Sequence, residues 1–322
     1  MRNQTGTNAD RVDVVVVGGG AAGLSAALML GRARRRVVVV DAGSPRNRFA
    51  AHMHGVLGHE GTPPAELAAR GRAEAAGYGV RFVDDVAARV DDTGDGVRVT
   101  LGDGGAVDGR VAILAAGVSD DLPDIPGLAE RWGRTVLHCP YCHGWEVRGQ
   151  RLGVLAISPA SVHQAQLVRQ WSDDVVLFSA GAGPLPAETV ERLRARGIRL
   201  VDEPVVEVLA DGDAVTGVRT ADGRLVEVGA VFTGGTLRPH DAMVAHLDLA
   251  RADGPGPSVL AVDPTGRTSN PRIWAVGNVR DPMANVPLVI GAGAMAGAVV
   301  NMALVEQEFD DAVAAAPSLG VA

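Results

Sequence analysis

The chain has 322 residues, of which 47% are hydrophobic and 21% are charged, and this composition excludes a disordered or fibrous protein. The length predicts about two domains. The formal net charge of -8 argues against a nucleic-acid partner, because nucleic-acid-binding surfaces are basic. All basic residues are arginine, so reactions that need a lysine amine are excluded.

The sequence predicts neither a membrane-spanning segment nor a secretion signal. We find no run of about 18 apolar residues, and the polar segment Met1–Arg11 leads directly into a predicted strand. Two cysteines are too few for a structural disulfide framework in a chain of this length. We therefore expect a cytoplasmic protein without a membrane partner, in which a disulfide would be catalytic.

The first third of the chain is predicted to form a parallel βαβ unit followed by further strands. Val12–Val17 and Val37–Val40 are β-branched runs typical of strands that are buried on both faces, and Ala21–Leu30 predicts the helix between them. Residues 49–62 are predicted to be irregular. A helix over 64–76 and strands over 80–83, 87–90, 97–101 and 111–115 follow.

A second α/β pattern begins near residue 152, after a predicted linker at 120–127. Its predicted elements are strands over 152–157, 175–178 and 230–233, helices over 160–171 and 189–196, and a meander over 205–228. A last strand over 273–276 and a long helix over 292–309 complete the pattern. The two βαβ starts predict two copies of one α/β architecture.

Gly18, Gly20 and Gly23 form a GxGxxG motif between the first strand and the first helix, and Asp41 ends the next strand. In a dinucleotide-binding domain the first glycine makes the tight turn and the second lets the backbone approach a pyrophosphate. The third lets helix and strand pack closely, and the acid binds a ribose hydroxyl. The motif therefore predicts a bound dinucleotide; the alternative is a glycine-rich turn in a nucleotide-free fold.

The segment Trp274–Asn278 favours FAD over NAD. It ends a strand in Gly277 and the polar Asn278, ahead of the long C-terminal helix. Many flavoproteins return to their FAD domain in this way near the C-terminus, so the segment suits a second contact to a flavin nucleotide.

Both cysteines lie in one CxxC motif, Cys139-Pro140-Tyr141-Cys142. A zinc site needs about four ligands, and here only the adjacent histidines could complete one. Two inert thiols are a second interpretation, and a redox-active pair is the third. Restriction of both cysteines to one CxxC favours the redox pair without a metal. The motif is also glutaredoxin-like, but its mid-chain position does not suit that fold.

The residues around the motif suit thiol chemistry. Pro140 is a favourable first helical residue, which would place Cys139 at a helix N-terminus, where a thiolate is stabilised. His138 and His143 could move protons near neutral pH, or either could be a surface or capping group. Glu146 could orient His143. The loop with His52, His54, His59 and Glu60 has two interpretations, a lining of the flavin or substrate pocket and a surface loop.

With these motifs in this order, the chain resembles the low-molecular-weight bacterial thioredoxin reductases. The matching segments are 18–23, 115–117, 139–142 with Gly144, and 268–278 with the helix after Gly291. The resemblance implies the fold class: α/β, with two Rossmann-like (three-layer ββα) dinucleotide-binding domains. It implies a discontinuous FAD-binding domain at 10–119 and 242–316, and an inserted CxxC-bearing domain at 120–241. It also implies a homodimer with the CxxC over the flavin.

The resemblance also implies which residues bind FAD. They are the residues of the glycine motif, the acid of the second strand, and short segments near 116, 277 and 286: Gly18, Gly20, Ala22, Gly23, Asp41, Ala116, Gly117, Gly277, Asn278 and Val286.

Three departures from the reductase pattern stand out. The second glycine motif is replaced by Ala-Ile-Ser-Pro-Ala-Ser at 156–161, and the basic cluster for the NADPH 2′-phosphate is replaced by Ser-Ala-Gly at 179–181. The inserted domain is therefore a degenerate NADPH type. His143 also stands where reductases have an acidic residue. The sequence at 139–146 is similar to dithiol oxidases of the holomycin and gliotoxin type, which pass electrons to oxygen and lack NADPH binding.

The resemblance thus implies an FAD-dependent dithiol oxidase that forms an intramolecular disulfide in a small natural-product dithiol, with O2 as acceptor and H2O2 as product. Cys139 would be attacked by substrate, Cys142 would be the flavin-side thiolate, and His143, less so His138, would handle protons. A reductase that uses NADPH or another electron donor is the alternative, and a non-catalytic flavin-binding module is the third hypothesis.

Overall fold

The computed structural model describes residues 11–254 and 256–316. The start of the domain predicted from residue 10 and the tail beyond 316 lie outside the described residues. The described chain divides into two compact units. Unit 1 contains 11–46, 65–119 and 239–316, and unit 2 contains 47–64 and 120–238.

The elements are numbered here in chain order. The strands are β1 (Val12–Val17), β2 (Val37–Val40), β3 (Arg81–Val83), β4 (Ala87–Asp92), β5 (Val97–Leu101), β6 (Ala106–Leu114), β7 (Val118–Asp121), β8 (Val136–Leu137), β9 (Leu152–Leu155), β10 (Val175–Phe178), β11 (Arg199–Val201), β12 (Val205–Asp211), β13 (Ala214–Thr220), β14 (Leu225–Glu227), β15 (Ala230–Phe232), β16 (Thr236–Pro239), β17 (Arg251–Ala252), β18 (Val259–Leu260) and β19 (Ile273–Ala275). The α-helices are α1 (Ala21–Arg32), α2 (Pro64–Gly77), α3 (Pro140–His143), α4 (Ser161–Val168), α5 (Ala187–Ala195) and α6 (Val286–Ala315).

Unit 1 is built on a seven-stranded sheet in which β3, β2, β1 and β6 are parallel neighbours. β19 pairs parallel with the second half of β6, and the β4–β5 hairpin pairs antiparallel with its first half. Successive residues of β1 point to opposite faces. Val14 and Val16 pack in a core with α1 and α6, while Val15 and Val17 pack in a core with β4 and β5. Helices α1 and α6 thus pack on one face of the central strands, and β4 and β5 pack on the other face. This gives the three-layer arrangement.

Helix α6 packs closely on α1 because small residues line the contact. A Cβ at Gly293 would overlap the carbonyl oxygen of Ala22, and one at Gly297 would lie 2.8 Å from the carbonyl oxygen of Ala26. The Ser25 hydroxyl donates to the Ile290 carbonyl at 2.8 Å. A larger side chain at either glycine would separate the two helices.

One helix is long and apolar enough to span a membrane by length and composition alone, although the sequence analysis found no run of about 18 apolar residues. Helix α6 has 30 residues and contains an 18-residue window with mean hydropathy 2.1, of which 33% is buried within the protein. The core helix of a soluble protein meets the same criterion. Part of the apolar composition is explained by the packing on α1.

Unit 2 contains a five-stranded parallel sheet with the strand order β11-β10-β9-β15-β8. An antiparallel meander of β12, β13 and β14 forms a separate sheet. Residues 47–64 belong to unit 2, although the sequence analysis assigned all of 10–119 to one domain. The second boundary lies at 238–239 rather than 241–242. Pattern alone could not assign an irregular segment that is held by distant contacts.

Several predicted boundaries differ from the structure. Helix α6 begins at Val286 rather than 292, because the Asn285 side chain caps it by accepting from the Leu288 amide and Pro287 fits the first turn. Helix α4 covers only Ser161–Val168 of the predicted 160–171. Strand β7 occupies the start of the predicted linker at 120–127.

Candidate active site

The CxxC motif forms a one-turn helix at the end of the buried strand β8 in unit 2. Cys139 is the N-cap of α3 and Pro140 is its first residue, as the sequence predicted. Cys139 and Cys142 form a disulfide with their Cα atoms 5.3 Å apart. The amide of Cys142 donates to Cys139 Sγ at 3.2 Å. Because a hydrogen bond favours the charged form of its acceptor, this amide would stabilise a Cys139 thiolate once the disulfide opens.

Aromatic side chains surround the helix that carries the disulfide. Tyr141 meets Trp171 edge to face with ring centroids 5.7 Å apart. A Cβ at Gly144 would lie 2.6 Å from the Pro140 carbonyl oxygen and 2.7 Å from Trp171 Cδ2, so the close approach requires glycine. Tyr141 and Trp145 are 72% and 65% exposed. The motif therefore carries exposed aromatic surface within unit 2.

The surroundings of His143 suit a side chain that accepts a proton. Its Nε2 is buried and has no hydrogen-bond partner among the described residues. Burial lowers the pKa of His143, the charge of Glu146 raises it, and the charge of His54 lowers it. A hydrogen bond to the His52 backbone also raises the pKa of His143. A neutral ring protonated at Nδ1 keeps the Nε2 lone pair ready to accept a proton.

His54 lies beside His143, and Glu60 is the hydrogen-bond partner of His54. The sequence had left their loop with two interpretations, a pocket lining and a surface loop. His54 Nδ1 is 2.6 Å from Glu60 Oε1, and its Nε2 is 3.5 Å from Glu146 Oε1. The His54 and His143 rings meet edge to face with centroids 6.1 Å apart. The hydrogen bond from His54 lowers the pKa of Glu60. Glu146 thus contacts His54 and acts on His143 through its charge.

His138 occupies a different environment. Its Nδ1 lies 3.3 Å from the Thr233 carbonyl oxygen, and its ring is 6.3 Å from that of Trp132. Its own carbonyl accepts from Gln164 Nε2 at 2.7 Å. These contacts direct His138 toward the end of β15. Its acid–base role stays a prediction.

The glycine motif of unit 1 fits a dinucleotide pyrophosphate. Gly18 has φ +105°, and a Cβ there would overlap the Ala115 carbonyl oxygen. A Cβ at Gly23 would overlap the Gly18 carbonyl oxygen. At Gly20, the N-cap of α1, a Cβ would meet no described atom within 4 Å, so open space faces the helix N-terminus. Anions bind at such positions, so these residues fit the phosphates of FAD.

Asp41 and the turn at 116–117 are further predicted FAD-binding residues of unit 1. Asp41 Oδ1 accepts from the amides of Gly19 and Gly43 at 3.1 and 3.2 Å, which fixes the carboxylate for a ribose hydroxyl. The Ala116 carbonyl is 2.9 Å from His240 Nδ1. His240, which the sequence analysis missed, thereby holds the turn in which Gly117 has φ +79°.

The remaining predicted FAD residues lie where α6 begins beside α1. Gly277 has φ +70°, and a Cβ there would lie 2.8 Å from the Cβ of Ala22. Asn278 Nδ2 donates to the carbonyls of Asp281 and Ala284, which closes the loop before α6. Val286 is the first residue of α6. The Ala22 side chain therefore serves packing, and a cofactor contact at these four residues stays a prediction.

In unit 2, residues at the positions where a reductase would bind NADPH form hydrogen bonds within the protein. The amide of Ile157 donates to Ser161 Oγ at 3.1 Å. The hydroxyl of Ser179, where the basic cluster of reductases would be, donates to Asp202. An amide already bonded and a neighbouring carboxylate both disfavour the phosphates of NADPH. Within 11–254 and 256–316, no group of three or more His, Cys, Asp or Glu side chains could hold a metal ion.

The fold and the CxxC disulfide define a thioredoxin reductase-like oxidoreductase. The chain matches the model of the pyridine nucleotide-disulphide oxidoreductase family over residues 12–310, and it belongs to that family. Members of this family are flavoproteins that typically bind FAD. The predicted fold class is thereby confirmed.

Individual relatives cover nearly the whole chain. The crystal structure of HlmI has 43% identity and a TM-score of 0.89, over 97% of this chain and 98% of that chain. An oxidoreductase from Agrobacterium tumefaciens has 38% identity and a TM-score of 0.86, over 92% and 99%. Thioredoxin reductase tcpT from Claviceps purpurea is 33% identical over 306 residues, 91% of this chain and 94% of the relative.

Proposed function

We propose that this chain is an FAD-dependent dithiol oxidase. It forms an intramolecular disulfide in a small-molecule, holomycin-like dithiol, with O2 as electron acceptor and H2O2 as product. The observation that carries the proposal is the buried Nε2 of His143, which lacks a partner among the described residues and lies on the helix of the CxxC disulfide. The internally bonded NADPH-type positions support it, because an oxidase of this kind needs no nicotinamide.

The proposed reaction begins with proton transfer from a substrate thiol to Nε2 of His143. The resulting thiolate attacks Cys139 Sγ, the bond between Cys139 and Cys142 breaks, and Cys142 leaves as a thiolate. The second substrate thiol then attacks the substrate sulfur of the mixed disulfide and releases Cys139. The substrate has lost two electrons and two protons, the cysteine pair has gained the electrons, and the protons pass to His143 and solvent.

FAD would be held by the glycine motif of unit 1, with Gly20 facing the pyrophosphate and Asp41 facing a ribose. The bound flavin supplies two-electron chemistry that takes the electrons of the reduced cysteine pair and delivers them to O2, giving H2O2. The role of the chain in that stage is to hold the nucleotide and to keep the Cys139 thiolate stable through the Cys142 amide.

A homodimer is part of the proposal. Four exposed apolar residues follow each other at intervals of seven along α6: Leu288, Met295, Met302 and Phe309. A heptad stripe suits a second helix of the same kind, so a second copy of this chain would cover it. We expect Met295→Glu with Met302→Glu to lower the molar mass measured by light scattering. We also place the protein in the cytoplasm, without a nucleic-acid or membrane partner.

The decisive experiment is anaerobic mixing of the yellow protein with a small dithiol and, separately, with NADPH. We expect the dithiol to bleach the flavin absorbance and NADPH to leave it unchanged. Admission of air should restore the colour and yield peroxide. Cys142→Ser is the matched variant and should not be bleached by the dithiol.

The second candidate is a disulfide reductase driven by NADPH or another electron donor. The name of the tcpT relative, a thioredoxin reductase, favours it. Rapid bleaching by NADPH in the same experiment would establish the reductase and reject the oxidase.

A further inference from the structure

We propose that His54 is a positioning residue for His143: held between Glu60 and Glu146, it keeps a positive charge beside the His143 ring and anchors the segment whose His52 backbone is hydrogen-bonded to that ring. This inference rests on the proposed function only in taking His143 as the base. The contacts of His54 are with Glu60, Glu146 and the ring of His143.

Both ring nitrogens of His54 face carboxylate oxygens. Nδ1 is 2.6 Å from Glu60 Oε1, and Nε2 is 3.5 Å from Glu146 Oε1. A carboxylate only accepts, so Nδ1–H is the donor to Glu60, and the longer contact to Glu146 is an ion pair when the ring is protonated. Glu60 is fixed in turn, because its Oε2 accepts from the Gly55 amide at 2.9 Å. The ring of His54 therefore lies between two carboxylates, one of them fixed by the backbone.

The segment that carries His54 is tied at its base. The Met53 amide donates to the Thr62 carbonyl, and the Gly61 amide donates to the Met53 carbonyl, both at 2.9 Å. Met53 and Val56 are buried, at 5% and 4% exposure. The His52 backbone, which is hydrogen-bonded to His143, therefore belongs to an anchored turn, and the ion pairs of His54 connect that turn to Glu146.

Three charged groups act at this end of α3. Glu146 follows the helix and raises the pKa of His143, and His54 on the packed segment lowers it. Glu60 stands behind His54 as its hydrogen-bond partner. Burial acts in the same direction as His54. The net effect keeps His143 neutral, which a group that must accept a proton from a thiol requires.

A direct test is an NMR titration of histidine-labelled protein, which has eight histidines per chain. The His143 signal is assigned by its loss in His143→Gln. In His54→Gln we expect the pKa of His143 to rise by roughly half a unit to one unit, the effect of one charge about 6 Å away at an effective dielectric constant of about 80 to 40. His54→Arg, which keeps the charge, should leave the pKa close to that of the wild type.

His163→Gln is the matched control, because His163 is an exposed residue of α4 in the same unit. An unchanged pKa of His143 in His54→Gln would overturn the proposal. Equal rises in His54→Gln and His54→Arg would overturn the role of the charge. If the glutamine variant does not fold, His54→Asn repeats the test with a smaller neutral side chain.

The second readout is the pH dependence of flavin reduction by a small dithiol. In His54→Gln the acidic limb should move to higher pH, with about threefold slower reduction on that limb for each half unit. A limb that does not move would contradict the proposal. If no dithiol reduces the flavin in any variant, the proposed function fails while the NMR titration still decides the role of His54.

Discussion

Substitution of Gly20 by valine should weaken FAD binding roughly 100-fold while leaving the fold intact. The residue has φ −76° and ψ −176°, an extended conformation that valine adopts without strain, and open space surrounds the position of a Cβ. Loss of glycine at an N-cap for an apolar residue costs about 1 kcal/mol. The folded protein should therefore tolerate the change.

The expected loss of affinity is much larger than the loss of stability. A valine would fill the space in which the α1 N-terminus would meet the pyrophosphate. Charge-assisted hydrogen bonds contribute about 1.5–3 kcal/mol each. Loss of one or two of them, about 3 kcal/mol in total, weakens FAD binding roughly 100-fold.

The assay combines FAD titration of flavin-stripped protein with denaturant unfolding of the same samples. Gly77→Val is the matched control, because Gly77 is exposed at the end of α2 with open space around it. Gly23→Ala is the contrasting variant and should lose about 3 kcal/mol of stability, because its methyl group would overlap the Gly18 carbonyl. Tight FAD binding by Gly20→Val would refute the reasoning.

Three further predictions concern the site in unit 2. Gly144→Ala should lower the free energy of unfolding by about 2 kcal/mol, since its methyl group would press on Trp171 and the Pro140 carbonyl; unchanged denaturant midpoints would contradict this. Burial lowers the pKa of His143, so flavin reduction by a dithiol should persist below the ordinary histidine pKa of about 6.5. The rate should then fall as the pH drops through the lowered pKa. In stopped-flow measurements, His143→Gln should lack this acidic limb of the pH profile. Cys139→Ser should abolish dithiol oxidation measured as peroxide yield, with Ser158→Ala as a control expected to retain it.

The sheets were predictable because their sequence signal is local. Val175–Phe178 is apolar and buried throughout, and Val12–Val17 is apolar and buried except at Asp13, so both runs predict central parallel strands. The glycine motif was predictable for the same reason. Its three glycines and the helix that follows lie within one short segment.

The environment of His143 was not predictable from local pattern. His54 meets Glu146 across a long stretch of chain, and the segment 47–64 belongs to unit 2 through contacts that no periodicity reports. The sequence alone left the loop of His54 and Glu60 with two interpretations, a pocket lining and a surface loop. The pair becomes meaningful because the turn around Gly55 and Gly61 brings the two side chains together.

Helix α6 shows why hydropathy alone does not identify a membrane span. Its apolar residues serve two faces, one packed on α1 through Gly293 and Gly297, the other exposed as the heptad stripe. A hydropathy window adds the two faces together and reports a membrane span. Only the packing separates a buried face from a surface that we propose a second copy covers.

Unit 2 has two unusual features, the environment of His143 and the internal hydrogen bonds at the positions where a reductase would bind NADPH. The direction of electron flow connects them. Disulfide formation in a substrate begins with removal of a thiol proton, so the enzyme needs a group that is neutral and unprotonated at one atom before the reaction starts. His143 meets that requirement because burial lowers its pKa and because its buried Nε2 has no hydrogen-bond partner among the described residues. A reductase needs the opposite, a proton donor beside the thiolate and a bound source of hydride. The same unit has internal hydrogen bonds at the positions where that source would bind. Both features therefore support the proposed oxidative direction, and each can be tested separately, by the pH profile and by NADPH.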